Sequence, residues 1–505
     1  MEILGGLGQG FAVALAPANL AWCFAGVFLG TVIGVLPGLG PPATIAMLLP
    51  LTFRMSPESA MIMLAGIYYG AKYGGSTTSI LLNVPGESAS VVTCIDGYQM
   101  ARKGRAGAAL GIAAIASFIA GTVGVILLML VAPPLAKLSL AFSSPEYFGL
   151  MSLGLAMVVL LAGASLVKAL LSMLVGLWLA GMGTDLFSAT SRFTFGRADL
   201  LGGIDFSIVA IGVFAIAEVL ANMEPAKGAS MLPPPRGLRN LLPTWQDLKA
   251  CRFAFANGSL LGFIVGVLPG AGSTIASFLS YGIEKAVSRH PEQFGQGAVE
   301  GVAAPEGANN SETGGALVPL LTLGIPGSGT TAVLLAALIL WGFKPGPLFI
   351  DEQPALFWGL VASMYIGNLM LLVLNLPLVP FFAQLLKLPP YAMYPLILGV
   401  AIVGVYSVAG SVFHLVLLAL FGLLGYLMRK LDYPAAPLVL GFVLGDQLER
   451  ALRQSLMMSQ GELSILVSRP IAAVLLVAAA LVLAVPLFRR LNAARLSAIE
   501  QESVT

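Results

Sequence analysis

The sequence has little charge. Only 10% of its 505 residues are Asp, Glu, Lys or Arg, whereas a soluble globular domain has about 25%, so most soluble enzymes and binding modules are excluded. The 26 basic and 24 acidic residues leave a net charge of +2, which excludes the basic excess of a nucleic-acid-binding protein. Hydrophobic residues make up 58% of the chain, and the mean hydropathy is +0.92. The composition therefore predicts a polytopic membrane protein.

Cysteine and histidine are also scarce. Cys23, Cys94 and Cys251 lie far apart, and His290 and His414 have no partner at ligand spacing, so we expect neither a disulfide nor a metal site. The sequence contains no phosphate-binding loop, nucleophile elbow or zinc-protease motif. We therefore expect a protein that is not an enzyme, has no cofactor and draws its energy from an ion gradient.

Long apolar stretches predict several membrane crossings. Because a bilayer core needs about 20 apolar residues per helix, we expect an all-α protein with roughly 10–12 transmembrane helices. Two or more discontinuous, re-entrant segments are expected beside them. The connection 225–254 contains three consecutive prolines and five basic residues, and the tail 489–505 carries three arginines. The positive-inside tendency places both segments in the cytoplasm.

An internal repeat divides the chain into two halves. The segment GVLPGLG at 34–40 returns as GVLPGAG at 266–272, and each copy is followed by a Gly-Gly pair, an apolar run and a Pro-Gly pair. We therefore predict an N-terminal half, 1–224, and a C-terminal half, 255–488, joined by the loop 225–254. We expect the second half to be inverted relative to the first, and a parallel arrangement is the alternative.

The polar stretches at 68–88 and 305–331 occupy corresponding positions of the two halves, as in the substrate site of a secondary transporter. Helix N-termini at such breaks offer N–H groups to an anion, and hydroxyl, amide and carbonyl oxygens are neutral ligands for a cation such as Na⁺. The candidate substrate-binding residues are Lys72, Ser76, Thr77, Thr78, Asn83, Pro85, Gly86, Ser88, Asn309, Asn310, Pro326, Gly327, Ser328, Thr330 and Thr331. The candidate ion-coupling residues are Gly38, Gly40, Gly270, Gly272, Ser311, Thr313 and Glu218.

These candidates also have structural interpretations. Small and hydroxyl residues mediate helix packing in membranes, and Lys72 can equally extend from a helix end to the membrane surface. Glu218, in the apolar stretch IGVFAIAEVL, can couple ions or pair with a basic residue. Glu87 and Glu306 flank the polar stretches, and we expect them at the mouth of the site.

Six stretches of the sequence are distinctive. They are GVLPGLGPPATIAMLLPLTF, YYGAKYGGSTTSILLNVPGE, DGYQMARKGRAGAALG, GTDLFSATSRFTFG, IGVFAIAEVL and PEGANNSETGGALVPLLTLGIPGS. In them, and over nearly its whole length, the chain resembles the large membrane subunit (TctA) of the tripartite tricarboxylate transporter (TTT) family. It departs from the family pattern at Lys72, where a neutral residue is expected, and at Leu186, where a proline often follows Gly-Thr-Asp.

The resemblance implies a multi-pass protein of the bacterial inner membrane. Its expected partners are a small membrane subunit (TctB-like) and a periplasmic solute-binding protein (TctC-like), with no nucleic acid. The implied function is import of tricarboxylates such as citrate, or of related carboxylates, by alternating access and symport with Na⁺ or H⁺. The alternative is a simple carboxylate permease or channel that works without a binding protein.

Overall fold

The chain is an all-α polytopic membrane protein. The computed structural model describes residues 2–36, 40–161, 165–185, 187–223, 241–270, 272–385, 394–395, 398–399, 401–403, 405–406 and 410–484. The tail 489–505 and much of the connecting loop therefore lie outside the described residues. One antiparallel hairpin, β1 (Gly183–Thr184) with β2 (Ser191–Arg192), is the only strand pairing in the described part.

Helices account for the rest of the regular structure. In chain order they are α1 (Glu2–Ala14), α2 (Pro17–Gly34), α3 (Pro41–Leu48), α4 (Pro57–Leu82), α5 (Val91–Met100), α6 (Ala106–Ser139), α7 (Ser144–Leu161), α8 (Leu166–Ala180), α9 (Phe206–Ala210), α10 (Ala217–Asn222), α11 (Trp245–Ala250), α12 (Arg252–Val267), α13 (Gly272–Val287), α14 (Glu300–Leu323), α15 (Gly329–Leu340), α16 (Phe349–Glu352), α17 (Pro354–Asn375), α18 (Val379–Leu385), α19 (Val412–Lys430), α20 (Ala435–Met458), α21 (Ile465–Ser468) and α22 (Pro470–Ala484). A π-helical turn, Ile211–Ile216, joins α9 to α10.

The chain forms two compact units. Unit 1 comprises Met1–Ser139 and Asp205–Leu431, and unit 2 comprises Leu140–Ile204 and Asp432–Thr505. Each unit is made of two separate segments of the chain, and unit 1 contains both copies of the GVLPG repeat. The division into two halves at the connecting loop stays a prediction from the repeat.

Four stretches are long and apolar enough to cross a membrane. They are Pro17–Gly34, Ser88–Ser139, Pro354–Asn375 and Val412–Lys430. Six shorter apolar helices of 10–17 residues accompany them in the described ranges. The count of roughly 10–12 crossings stays a prediction.

Helix α4 begins and ends where its local sequence favours it. Ser56 accepts a hydrogen bond from the Ser59 N–H (3.3 Å), and Pro57 occupies the first turn, where a missing N–H leaves no helical bond unmade. The helix ends at Asn83, whose φ of 57° lies in the left-handed region that Asn tolerates. All residues from Ser59 to Leu81 are buried. Helix α4 therefore runs through the interior of unit 1.

Helix α14 is the counterpart of α4 in the second copy. All residues from Gly301 to Thr322 are buried, although Pro305 and Pro319 lie within the helix and each lacks a backbone donor. The helix ends at Gly324 with a left-handed φ of 70°. A helix that is buried on every side is typical of the centre of a large or membrane-embedded fold.

Glycine ladders bring each of these helices against a partner. The ladder on α2 is Gly26, Gly30 and Gly34, and the ladder on α12 is Gly258, Gly262 and Gly266. A methyl group built on Gly30 would lie 2.6 Å from the carbonyl oxygen of Ile67 in α4, and one on Gly258 would lie 2.7 Å from that of Ala304 in α14. Small residues at every fourth position let helix backbones touch. The repeat therefore extends upstream of the segment from which it was predicted.

Candidate functional site

Both polar stretches contain a break in the helix. The stretch 68–88 leaves the helical conformation only at 83–87, and the stretch 305–331 only at 324–328. The predicted discontinuities are confirmed, but they are shorter than the polar sequence suggested. Most of the polar candidates lie on α4 and α14, because partners in the interior satisfy their side chains without unwinding the backbone.

A new helical turn starts after each break, as the Pro-Gly pairs followed by hydroxyl residues predicted. Glu87 caps the turn after the first break, and its N–H donates to Ser90 Oγ (3.2 Å). Ser328 caps α15, and its N–H donates to Thr331 Oγ1 (2.8 Å). Both ends are capping boxes, in which side chains satisfy the free N–H groups of a helix start. Each box involves the N–H of the third residue of the new turn, Ser90 or Thr331, and binding of an anion at these helix starts stays a prediction.

The Pro-Gly pairs hold each break against the GVLPG segment of the same copy. A methyl group on Gly86 would lie 2.7 Å from the carbonyl oxygen of Gly34, and one on Gly327 would lie 3.0 Å from that of Gly266. The Gly270 N–H also donates to the Gly327 carbonyl (2.7 Å). The two segments that carry the repeat signal are therefore in contact in both copies.

A buried ion pair joins α4 to α14. The ammonium Nζ of Lys72 lies 2.5 Å from Glu312 Oε2 and 2.7 Å from the backbone oxygen of Asn309. The hydroxyl of Tyr68 also donates to Glu312 Oε2 (3.1 Å), and the Lys72 Nζ lies 4.7 Å from the centre of the Tyr68 ring. Both charged side chains are only 1% exposed. Lys72 therefore points into the protein and does not extend to the membrane surface.

Two further carboxyl groups lie near this pair. Glu306 on α14 is fully buried and accepts hydrogen bonds from Ser76 Oγ (2.6 Å) and from the Thr93 hydroxyl. Glu87 Oε1 accepts a hydrogen bond from Asn309 Nδ2 (2.7 Å). The structure thus places Glu306 in the interior, and not at the mouth where the sequence suggested it. Helix α14 is fully covered by its neighbours, so a residue at its start has no surface to reach.

Helix α14 also carries unsatisfied acceptors. Four of its buried side-chain oxygens have no hydrogen-bond partner within the described residues: Asn309 Oδ1, Asn310 Oδ1, Glu312 Oε1 and Thr313 Oγ1. A buried polar atom without a partner costs about 1–3 kcal/mol. Their grouping on one helix beside the ion pair indicates a place where a further polar group can bind.

A small cavity lies beside Glu306. Its lining residues are Tyr73, Ser76, Thr77, Leu110, Ala113, Ala114, Ser117, Asn375 and Val379. Ser76 donates to Glu306, and Ser117 Oγ accepts a hydrogen bond from Asn310 Nδ2 (2.7 Å). The cavity is therefore connected by hydroxyl groups to the polar face of α14.

The remaining substrate-site candidates lie in the breaks and in the helices that follow them. Asn83, Pro85 and Gly86 lie in the first break, Pro326, Gly327 and Ser328 lie in the second, and Thr330 and Thr331 are buried in the first turn of α15. Ser88 shares a hydrogen bond with Thr274 at 2.8 Å, outside the buried cluster. Thr78 donates to a carbonyl of its own helix, so its hydroxyl supports local structure.

The ion-coupling candidates are not brought together. Ser311 donates to the Ser259 carbonyl of α12 (2.6 Å), a helix-packing bond, and Glu218 forms an ion pair with Arg429 of α19. Gly40 precedes α3, and Gly270 and Gly272 have left-handed φ angles of 82° and 62°. Gly38 lies outside the described residues. Of this group, Thr313 is adjacent in sequence to the buried pair.

Glu312, Tyr68 and Thr93 belong to the buried cluster, although they were not among the site residues predicted from the sequence. A signal for Glu312 was present, because it stands two residues before the second Gly-Gly pair, as Lys72 stands two residues before the first. No comparable signal marks Tyr68 or Thr93. Asp96 was missed as well, and its Oδ1 accepts three backbone N–H bonds of 2.7–2.9 Å from the loop that precedes α14.

Comparison with known proteins identifies the family. The family model described as the tripartite tricarboxylate transporter TctA family matches residues 20–440. A relative described as an uncharacterized 52.8 kDa protein in the TAR-I ttuC' 3'region of Agrobacterium vitis is 49% identical over 94% of both chains. A second, described as an uncharacterized protein in the TAR-II ttuC' 3'region of the same organism, is 47% identical over 43% of this chain and 89% of its own length. No solved structure matches. The chain therefore belongs to the tripartite tricarboxylate transporter TctA family.

Proposed function

We propose that the chain imports tricarboxylates such as citrate, or related carboxylates, across the bacterial inner membrane by symport with Na⁺ or H⁺. Its family makes it the large membrane subunit of a tripartite transporter. In this proposal a small membrane subunit completes the membrane component, and a periplasmic solute-binding protein delivers the carboxylate.

The observation that carries this proposal is the position of Lys72. Among the described residues it is the only buried Lys or Arg side chain. It extends from α4 to α14 and ends beside side-chain oxygens of α14 that have no hydrogen-bond partner. An ionisable group inside a membrane protein is a functional candidate by default. A carboxylate that enters the cluster would find an ammonium group, amide groups and hydroxyl groups in one place.

Access to this cluster requires movement. Lys72, Glu306 and Glu312 are all at most 1% exposed, so a solute reaches them only if the surrounding helices part. Matching breaks in two repeated segments are typical of transporters that open alternately to either side. A co-transported cation would offset the charge that a carboxylate brings into a low-dielectric site.

Uptake into proteoliposomes tests the proposal. The chain and its small partner subunit are reconstituted, and accumulation of labelled citrate, succinate and benzoate is followed with and without the binding protein under inward Na⁺ or H⁺ gradients. Accumulation that needs both the binding protein and one gradient is the expected result. Rapid uptake that needs neither would instead indicate a simple permease or a channel.

Asn310 provides a residue-level test. Asn310→Ala removes an amide that donates to Ser117 and to the Glu306 backbone oxygen (3.1 Å), and we expect severe loss of uptake with normal membrane insertion. The matched control is Thr322→Val, which changes a fully buried hydroxyl of the same helix that bonds only the helix's own Val318 carbonyl. Normal uptake by Asn310→Ala would remove Asn310 from the site.

A further inference from the structure

We infer that Glu306 carries the coupling ion and that this ion is a proton. The inference rests on the proposed carboxylate symport and deepens it, because the sequence left Na⁺ and H⁺ equally open. It assigns the coupling step to one carboxyl group of α14 and separates that group from the Lys72–Glu312 pair.

The two buried glutamates of α14 have different surroundings. Glu312 has the ammonium of Lys72 as its counter-charge, whereas the oxygens of Glu306 accept hydrogen bonds from Ser76 and Thr93, which are neutral hydroxyls. No ion pair of the described residues includes Glu306. A fully buried carboxylate without a counter-charge is costly, so it binds a proton or a cation.

The other groups around Glu306 supply no positive charge. The titratable groups whose charge acts on it are Tyr73 of α4, Glu87 after the first break and Cys94 of α5, all of which are acids. The nearby helix α6 contributes the hydroxyl of Ser117. The buried ammonium of Lys72 is held by Glu312 and the Asn309 carbonyl.

The same geometry favours a proton over Na⁺. Each oxygen of Glu306 already accepts a hydrogen bond from one hydroxyl, so binding of Na⁺ there would require both hydroxyls to reorient. A proton needs only one carboxyl oxygen and a hydroxyl that turns from donor to acceptor.

The cavity beside Glu306 supplies a route for the proton. Ser76 lines the cavity and donates to Glu306 Oε2, and Ser117, also on the lining, is bonded to Asn310. The Oδ1 atom of Asn310 has no partner, although the side chain is only 3% exposed. In the proposed step a hydronium ion in the cavity gives a proton to Ser76 Oγ and becomes water, while the Ser76 O–H bond breaks and its proton forms an O–H bond to Glu306 Oε2.

The proton offsets charge when the substrate binds. The cluster contains three carboxyl groups, Glu87, Glu306 and Glu312, and one ammonium, Lys72. A substrate carboxylate adds negative charge to this set, and protonation of Glu306 removes one negative charge. Binding of the carboxylate and binding of the proton therefore favour each other.

Two transport assays on the complete system separate coupling from translocation. Wild type, Glu306→Gln and the matched control Glu284→Gln are reconstituted with the small subunit and the binding protein. Glu284 is also a buried carboxyl of unit 1, but it accepts from Asn257 and lies outside the cluster. Net accumulation under a proton gradient and exchange at equal inside and outside concentrations are measured for whichever of citrate, succinate and benzoate the wild type accumulates.

The expected result is that Glu306→Gln loses accumulation under a proton gradient but keeps exchange, because a permanently neutral side chain mimics the protonated state. Glu284→Gln keeps both activities. Accumulation by Glu306→Gln equal to wild type would overturn the inference. Wild-type accumulation that follows only a Na⁺ gradient would also overturn it and would leave the proposed symport standing. No accumulation of any of the three acids under either gradient would overturn both.

Infrared spectroscopy of the purified wild-type complex covers the case in which Glu306→Gln does not fold. A protonated carboxyl has a C=O stretch that is distinct from the carboxylate bands. We expect such a band to disappear at high pH and to shift in Glu306→Asp, which keeps the carboxyl group. A wild-type spectrum with no protonated-carboxyl band at neutral pH, or with such a band that is unchanged in Glu306→Asp, would overturn the inference.

Discussion

Helices α4 and α14 share a backbone plan but bury charged side chains of opposite sign. Each is buried on every side, packs on a glycine ladder, ends in a left-handed residue and is followed by a Pro-Gly pair. Lys72 stands two residues before Gly-Gly in α4, and Glu312 stands two residues before Gly-Gly in α14. These equivalent positions are where the two helices form their ion pair, at 2.5 Å.

The comparison shows which features a repeat keeps and which it lets diverge. Backbone contacts depend on small residues at fixed spacing, so both copies retain them. The side chains that meet between the copies need to be complementary and not identical. An ammonium from one copy and carboxylates from the other can be buried together, whereas two like charges cannot.

The largest expected effect comes from removing one partner of the buried Lys72–Glu312 ion pair. Lys72→Met leaves the Glu312 carboxylate buried without its counter-charge, and we expect a loss of about 3–5 kcal/mol in the free energy of unfolding. The measurement is a denaturant titration of the detergent-solubilised protein. The double variant Lys72→Met, Glu312→Gln is the control and should recover most of the loss. A single variant as stable as wild type would show that the pair is not formed in solution.

The next largest expected effect is the loss of stability when the glycine of a Pro-Gly pair is replaced, and it should differ between the two breaks. A methyl group on Gly86 would lie 2.5 Å from Gly75 Cα and 2.7 Å from the Gly34 oxygen, whereas one on Gly327 would be no closer than 3.0 Å to any atom. We expect Gly86→Ala to cost about 2–3 kcal/mol and Gly327→Ala less than about 1 kcal/mol. The same titration measures both variants. Equal losses of unfolding free energy would contradict this difference in the space around the two glycines.

Exchanging the residues that end helices α4 and α14 is expected to change the stability unequally. Asn83 and Gly324 both have left-handed backbones, but a Cβ at Gly324 would lie 2.7 Å from the Pro345 carbonyl oxygen. Gly324→Asn should cost about 1–2 kcal/mol, and Asn83→Gly should stay within about 0.5 kcal/mol. Thermal unfolding of the two variants side by side tests this asymmetry. A larger loss for Asn83→Gly would contradict it.

The smallest expected effect lies in unit 2, where the ion pairs are nearer the surface. The Ser188 hydroxyl (2.5 Å), the Phe187 N–H and the Arg453 guanidinium (3.0 Å) hold the pKa of Asp185 well below its ordinary value. A depressed pKa stabilises the fold above the ordinary value of about 3.9 and ceases to do so as the pH falls through the lowered value.

Limited proteolysis of the hairpin 183–192 measures this dependence. Cleavage should become faster as the pH falls from about 5 to about 2, because the opened hairpin binds a proton at Asp185 with its ordinary pKa whereas the folded hairpin, with the lowered pKa, does not. Asp185→Asn should be cleaved at a rate that varies less over the same range. The same pH dependence in both proteins would assign it to another group.

Several features of the fold and site could be predicted from local sequence. Pro-Gly followed by hydroxyl residues indicates a helix end and a new start, and both capping boxes are present. The lengths of the breaks could not be predicted in this way. Ser76 and Asn309 are polar residues next to glycine-rich sequence, a pattern that favours an unwound backbone. Both nevertheless lie within helices, because the Ser76 hydroxyl bonds Glu306 and the Asn309 amide bonds Glu87, each on another element.

The helical fold, the membrane embedding, the internal repeat and the resemblance to the TctA family could all be predicted from the amino-acid sequence alone. These follow from composition and from local patterns, which do not depend on how distant segments meet. The pairing of Lys72 with Glu312 and the neutral hydrogen-bond partners of Glu306, by contrast, became evident in the three-dimensional structure. The burial and charge of a side chain depend on residues more than 200 positions away, and no local pattern specifies those contacts.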